Sequence, residues 1–441
     1  MKIKKRDSAA IIDALSSGVV PRRGLQYIMV GRVEEVKQIL RDLDNVKEGA
    51  SLVKFYIGEF GTGKSFIQGL IKQVGLSKNF VVTNADLSPE KRLYGAEKAI
   101  LLYTELIKNL STSTCPEGGA LSVIIDKWIS ALQTKVMKDK GYETIDFSDE
   151  ALVSDVENEI VKEVSKLDKL SGGYDFARIL TIYYKGFIDG DLDIQRKALR
   201  WISGEYGTRT EAKNDLGVRE IIDDSNYYNY IKVMAQFVRQ IGYAGLVINF
   251  DEAINLYKIT HPQAREKNYE TILNMFNDCL QGNVEGLYIT FAGTPEFLED
   301  ERRGLYSYGA LRRRLELNRY ETDEFRDLTQ PVIKLSPLSH EDLFVLLQRI
   351  RDIHSFHYKY KSDVSDDELK AFIIKEFSVP GAKQYTTVGH IVKRFIDALN
   401  ILYQNPDFDR RNIFGDSVYG EYEQVEENDN IMDRFQVYKG R

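Results

Sequence analysis

The sequence predicts an α/β fold centred on a five-stranded parallel sheet, with a large helical insertion and a helical lid on its C-terminal side. Three observations point there. Short apolar runs of strand length recur along the chain, and segments between them carry apolar residues at helical spacing. A glycine-rich loop, Gly58 to Ser65, joins the first such run to the helical segment after it.

The elements follow in order. Residues 1–50 form a lead-in, where Tyr27–Leu43 begins with Val30-Gly31-Arg32 and continues as an amphipathic helix with Val33, Val36, Ile39, Leu40 and Leu43 on one face. The run Leu52-Val53-Lys54-Phe55-Tyr56-Ile57 reads as a buried strand. Gly58-Glu59-Phe60-Gly61-Thr62-Gly63-Lys64-Ser65 follows, and Phe66-Ile67-Gln68-Gly69-Leu70-Ile71 has helical spacing. Strand, loop and helix in this order are the setting a phosphate-binding loop requires. Gly58, Gly61 and Gly63 let the backbone curl so that the amides from Gly58 to Phe66 face a phosphate, and the helix adds its positive end. Lys64 is expected to reach the β- and γ-phosphates and Ser65 to hold Mg²⁺.

Phe80-Val81-Val82-Thr83 is the second expected strand, ending toward Asn84-Ala85-Asp86. A mostly helical stretch, about 88–240, comes next and reads as an insertion within a core of residues 51–325. Its amphipathic segments are Tyr94–Leu110, Leu121–Val136, Ala151–Leu167, Phe176–Phe187 and Tyr228–Gln240. The third strand, within 245–250, runs into Asp251-Glu252. Paired carboxylates at the end of a buried strand suit a phosphate loop, with Asp251 on the metal and Glu252 polarising a water. The fourth strand, 287–292, leads to Gly293-Thr294-Pro295. If it lies beside the first strand, Thr294 (or, second, Thr290) can sense the γ-phosphate. Arg312-Arg313-Arg314 follows on a short helix. Arg314, then Arg312, is the expected arginine finger reaching a neighbouring subunit's nucleotide. A DNA-contacting patch with Arg302, Arg303 and Arg319 is the other reading of these cations. The fifth strand, 332–335, opens a lid of residues 326–405 with helices near Asp367–Glu376 and Thr386–Tyr403. Residues 406–441 form an acid-rich tail, expected to be mobile.

Composition narrows the class. The 441 residues are 43% hydrophobic and 29% charged, with a formal net charge of −7. No apolar run approaches the roughly 20 residues that span a bilayer, and the basic segment Met1 to Ser8 leads into no apolar stretch of the length expected of a signal peptide. Two cysteines without pairing or metal spacing suit a reducing cytoplasm. An acidic chain lacks a global nucleic-acid footprint, so any DNA contact must use a local patch. His354 and His357, three apart, lack a third metal ligand nearby. Tyr227, Tyr228 and Tyr230 read as packing rather than as a base-stacking platform.

Taken together, these segments resemble an AAA+ ATPase of the origin-recognition type. Val30-Gly31-Arg32 with Glu35 is similar to the lead-in that cradles adenine in such proteins, which assigns Gly31 and Arg32 to the base. A narrower set resembles the BrxD family, the ATP-binding proteins of BREX-type phage-defence systems, over about residues 20–405. It comprises Asp86-Leu87-Ser88-Pro89, Gly172-Gly173-Tyr174-Asp175-Phe176-Ala177, Arg200-Trp201-Ile202-Ser203-Gly204-Glu205, Gly242-Tyr243-Ala244-Gly245-Leu246, Tyr308-Gly309-Ala310-Leu311-Arg312 and Ile333-Lys334-Leu335-Ser336-Pro337-Leu338. The resemblance implies ATP and Mg²⁺ as cofactors, ATP hydrolysis, a homo-oligomer, and action on DNA with a defence-system helicase or nuclease. The alternative is a slow ATP-gated switch that recruits such a partner without acting on DNA. One departure stands out. Where the family carries Thr-Pro-Arg, with an arginine that resembles a nucleotide sensor, this chain has Thr387-Val388-Gly389-His390, leaving His390, Lys393 or Arg394 as substitutes.

Overall fold

Five strands form one sheet: β1 (Leu52–Ile57), β2 (Val81–Asp86), β3 (Leu246–Asp251), β4 (Leu287–Gly293) and β5 (Val332–Lys334), in the order β2-β3-β4-β1-β5. The computed structural model describes residues 3–144, 149–167, 171–322, 325–378 and 387–415. The acid-rich segment 421–433 therefore lies outside the described residues. The β2–β3, β3–β4 and β4–β1 pairings are all parallel, so these strands end at one edge. β4 lies beside β1, the arrangement on which the expectation for Thr294 depends. β2 runs past its apolar stretch to Asp86 because β3 pairs it residue by residue, Asn84 with Asn249 and Asp86 with Asp251.

The register sorts side chains into rows, since neighbours in a parallel sheet share a face. One row is aromatic. Phe55, Phe291 and Phe250 stack with ring centroids 5.1 and 5.0 Å apart, all fully buried. The preceding row is polar: Asn84, Asn249, Thr290 and Lys54. Thr290 Oγ1 donates to Asn249 Oδ1 at 2.7 Å, and Asn249 Nδ2 donates to Asn84 Oδ1 at 3.2 Å. Lys54 is buried, and its ammonium donates to the carbonyls of Leu328, Thr329 and Gln330 at 3.1, 2.8 and 2.8 Å, with Asp42 at 3.7 Å. Buried polar groups are tolerated when satisfied in this way.

The chain divides into two compact units. One comprises Gln38–Ile57 and Ile71–Ile333, and the other Met1–Lys37, Gly58–Leu70 and Lys334–Arg441. In the first, helices Lys98–Lys108, Leu121–Lys140, Glu150–Ser165, Gly173–Asp189, Leu192–Ile202, Arg209–Leu216 and Tyr227–Gln240 fill the region read as an insertion. Their core continues that of the sheet. Trp128 and Phe176 meet Phe237 edge-on at 5.2 and 5.4 Å, and Trp201 meets Tyr230 at 5.4 Å. Tyr227 and Tyr230 are thus core residues. Helix Pro262–Leu280, between β3 and β4, is absent from the sequence expectations. Proline at its first position and the buried series Tyr269, Ile272, Met275, Phe276 and Cys279 were the signals for it.

In the second unit, helices Lys5–Ser16, His340–Tyr358 and Val388–Gln404 pack on one another. His354 lies in that core, its ring nitrogens 2.9 Å from Tyr360 Oη and 3.0 Å from Asn400 Oδ1. Burial lowers its pKa. Residues 411–414, grouped with the tail on sequence, form a short helix. Phe414 is buried there, and Arg410 grips Glu368 through two bonds of 2.7 and 2.8 Å.

Candidate functional site

The loop after β1 is built from backbone constraints. A Cβ on Gly58 would lie 2.5 Å from Thr62 Oγ1 and 2.7 Å from the Leu335 carbonyl oxygen, so no other residue fits. Gly61 and Gly63 adopt φ of +81° and +91°, where a side chain is strained. Thr62 closes the turn, its amide and hydroxyl both donating to the Glu59 carbonyl. Helix Lys64–Ser77 starts directly at the loop's end, with Ser65 and Phe66 in its first turn. The Lys64 ammonium folds over the loop, donating to the Gly58 and Glu59 carbonyls at 2.7 and 2.8 Å and lying 5.3 Å from the centre of the exposed Phe60 ring.

Arg32 braces this loop. It is buried, donates to the carbonyls of Thr62 at 2.9 Å and Ser336 at 2.5 Å, and pairs with Glu35 at 3.5 Å. Its guanidinium therefore faces the loop's backbone. The preceding Gly31, at φ +66°, packs against Asp342 and Leu338.

The carboxylates expected to complete the site leave the sheet at the end of β3. Asp251 Oδ1 accepts the Glu252 amide at 2.7 Å, and Glu252 takes φ +55°, a left-handed conformation rare outside glycine and asparagine. Neighbouring strands clamp this turn. The Leu87 amide donates to the Asp251 carbonyl at 3.0 Å, and the Ala253 amide donates to the Ala292 carbonyl at 2.9 Å. At the end of β4, Thr294 is buried, and its hydroxyl has no hydrogen-bond partner among the described residues. Thr290 differs, since its hydroxyl is used within the sheet.

Sequence reasoning assigned no role to Asp86. It ends β2 opposite Asp251, and its carboxyl is held above the usual carboxylate range, first by desolvation, then by the Asp251 and Glu105 carboxylates, with Lys91 opposing. The three arginines divide as three consecutive helical positions must. Arg314 is half-buried and donates to its own helix at the Ala310 carbonyl, while Arg312 pairs with Glu301 at 2.9 Å. Leu311 and Leu315 face the core, so Arg313, midway between them, points outward and has no ion pair among the described residues. The Leu–x₃–Leu spacing was the signal that could have singled it out.

The class these observations define is an α/β protein in which a glycine-rich loop links a strand inside a parallel sheet to a helix. The family model for the BREX system ATP-binding protein BrxC/D matches residues 3–418, so the chain belongs to that family, and it is an ATP-binding protein of BREX defence. No curated protein matches it. No helix among the described residues is long and apolar enough to cross a membrane.

Proposed function

We propose that the protein is a magnesium-dependent ATPase of the AAA+ class that works as a homo-oligomer, with DNA and a partner protein, in phage defence. The observation that carries this reading is the strand order. β4 lies between β1 and β3, so the strands leading into Gly58, Asp251 and Thr294 all end at one edge of the sheet. Ligands of open α/β sheets gather at such edges.

In this reading the amides of Gly58–Phe66 and the Lys64 ammonium bind the triphosphate, and Gly31 with the Arg32-braced lead-in borders the base. Ser65 and Asp251 hold Mg²⁺, which when bound neutralises charge on the phosphate oxygens. Glu252 orients a water and accepts its proton. The unpartnered Thr294 hydroxyl supports its role as the group that reads the terminal phosphate, since a buried hydroxyl without a partner is costly unless a ligand satisfies it. An arginine of the Arg312–Arg314 helix completes a neighbour's site.

Steady-state ATPase assays with Lys64→Ala and Glu252→Gln test the reading. Lys64→Ala should lose ATP binding, and Glu252→Gln should bind ATP without turning it over. Wild-type turnover in Glu252→Gln would remove Glu252 from the chemistry. DNA binding with ATP, titrated at several salt concentrations, tests the nucleic-acid role. A signal that is absent or indifferent to salt supports a recruitment switch instead.

A further inference from the structure

The Gly58–Ser65 loop is held by residues far from it in sequence, and one of these contacts has no place in the chemistry above. A Cβ on Gly61 would lie 2.4 Å from Thr387 Cβ, 2.5 Å from its Cγ2 and 3.2 Å from its Cα. The loop backbone and Thr387 therefore touch without intervening space. Thr387 is the N-cap of helix Val388–Gln404, and its Oγ1 accepts the His390 amide at 3.3 Å. Branching at Cβ restricts the side-chain rotamer and holds the methyl against Gly61. The helix behind it buries Ile391, Val392, Phe395, Ile396 and Leu399.

At three positions of this helix the side chain is missing or directed elsewhere. Gly389 has no side chain, Arg394 is paired with Glu376 at 2.8 Å, and the Lys393 stem lies near Gly18. We propose that Thr387 is a positioning residue, through whose contact with Gly61 the occupancy of the phosphate loop sets the order of helix Val388–Gln404. This rests on the reading that Gly58–Ser65 binds the triphosphate. A filled loop has its backbone fixed by phosphate, so Gly61 becomes a firm seat for Thr387. By linkage, the same contact strengthens nucleotide binding by the factor with which nucleotide orders the helix.

Hydrogen exchange of the full-length chain, with and without Mg-ATP, tests this. In the wild type, ATP should slow exchange in the loop and, about fivefold or more, in the first two turns of the helix. Thr387→Gly should keep the loop effect, lose the helix effect and bind ATP more weakly by that same factor. Thr387→Val, which keeps the methyl and loses the cap, should exchange faster at the helix start in both states and still keep the ATP-dependent slowing there. Helix protection that survives in Thr387→Gly, or that disappears in Thr387→Val, overturns the assignment of the contact. A wild-type helix indifferent to ATP, with the loop protected, overturns it as well. A wild-type loop that ATP does not protect instead refutes the underlying nucleotide-site reading.

Discussion

Replacing Glu252 with glycine should leave the protein more stable than replacing it with alanine, while both abolish ATP turnover. Glu252 sits at φ +55°, and the left-handed region costs a residue with a Cβ about 1–2 kcal/mol. Glycine takes that conformation freely, but it also loses more chain entropy on folding, about 0.5–1 kcal/mol. Alanine inherits the strain, so the difference leaves Glu252→Gly more stable than Glu252→Ala by roughly 0.5–1 kcal/mol. The Glu252 amide's hydrogen bond to Asp251 Oδ1 and the Ala253–Ala292 bond involve backbone or Asp251 atoms, and both variants keep them. Urea unfolding followed by circular dichroism, with the two variants side by side, measures the difference. In the same preparations ATPase activity should vanish for glycine and alanine alike. A glycine variant no more stable than the alanine variant refutes the strain reading, and one that still hydrolyses ATP refutes the catalytic reading. The expected outcome is a site that gives up stability for function.

Three further outcomes follow from the same edge of the sheet. Thr294→Val removes a buried hydroxyl without a partner, so stability should hold or rise by up to about 1 kcal/mol, while turnover falls at least tenfold; unchanged turnover removes Thr294 from the site. Asp86 has a carboxyl pKa raised in the folded state, so the unfolded chain binds fewer protons and stability is lost as pH climbs above 3.8. Asp86→Asn should therefore be the more stable form at pH 7, with its advantage shrinking toward pH 3.8 in urea titrations; an advantage that grows with acid contradicts this. Arg313→Ala should lower turnover and spare ATP affinity, with Arg312→Ala and Arg314→Ala milder, and Arg314→Ala as the most damaging of the three would reverse the ranking.

Much of this was legible in the sequence because it is local. β1 and its loop could be read residue by residue, since six apolar-rich positions, three glycines and Lys-Ser leave little choice of conformation. Asp251 and Glu252 followed from a buried run that ends in charge. What stayed hidden depends on pairing between distant segments. Asp86 belongs to β2 only because β3 extends beside it, and its elevated pKa comes from burial first and then from Asp251, far along the chain. Arg32 looked like a base contact, yet its guanidinium is occupied by the Thr62 and Ser336 carbonyls. Thr387 stood out only as the start of the altered Thr-Pro-Arg segment, because nothing in its neighbourhood marks a contact with Gly61.

The alternation along β1 has a mechanical meaning. Lys54 faces carbonyls and Asp42, whereas Phe55, next to it, stacks on Phe291. Sliding the strand by one residue would bury an ammonium among aromatic rings and strand a phenyl group on polar atoms. Such a slip is prohibitive, so Ile57 always emerges at one height above the sheet. Whatever Gly58 and its successors grasp is therefore presented at a fixed elevation, set by a lysine that never meets it.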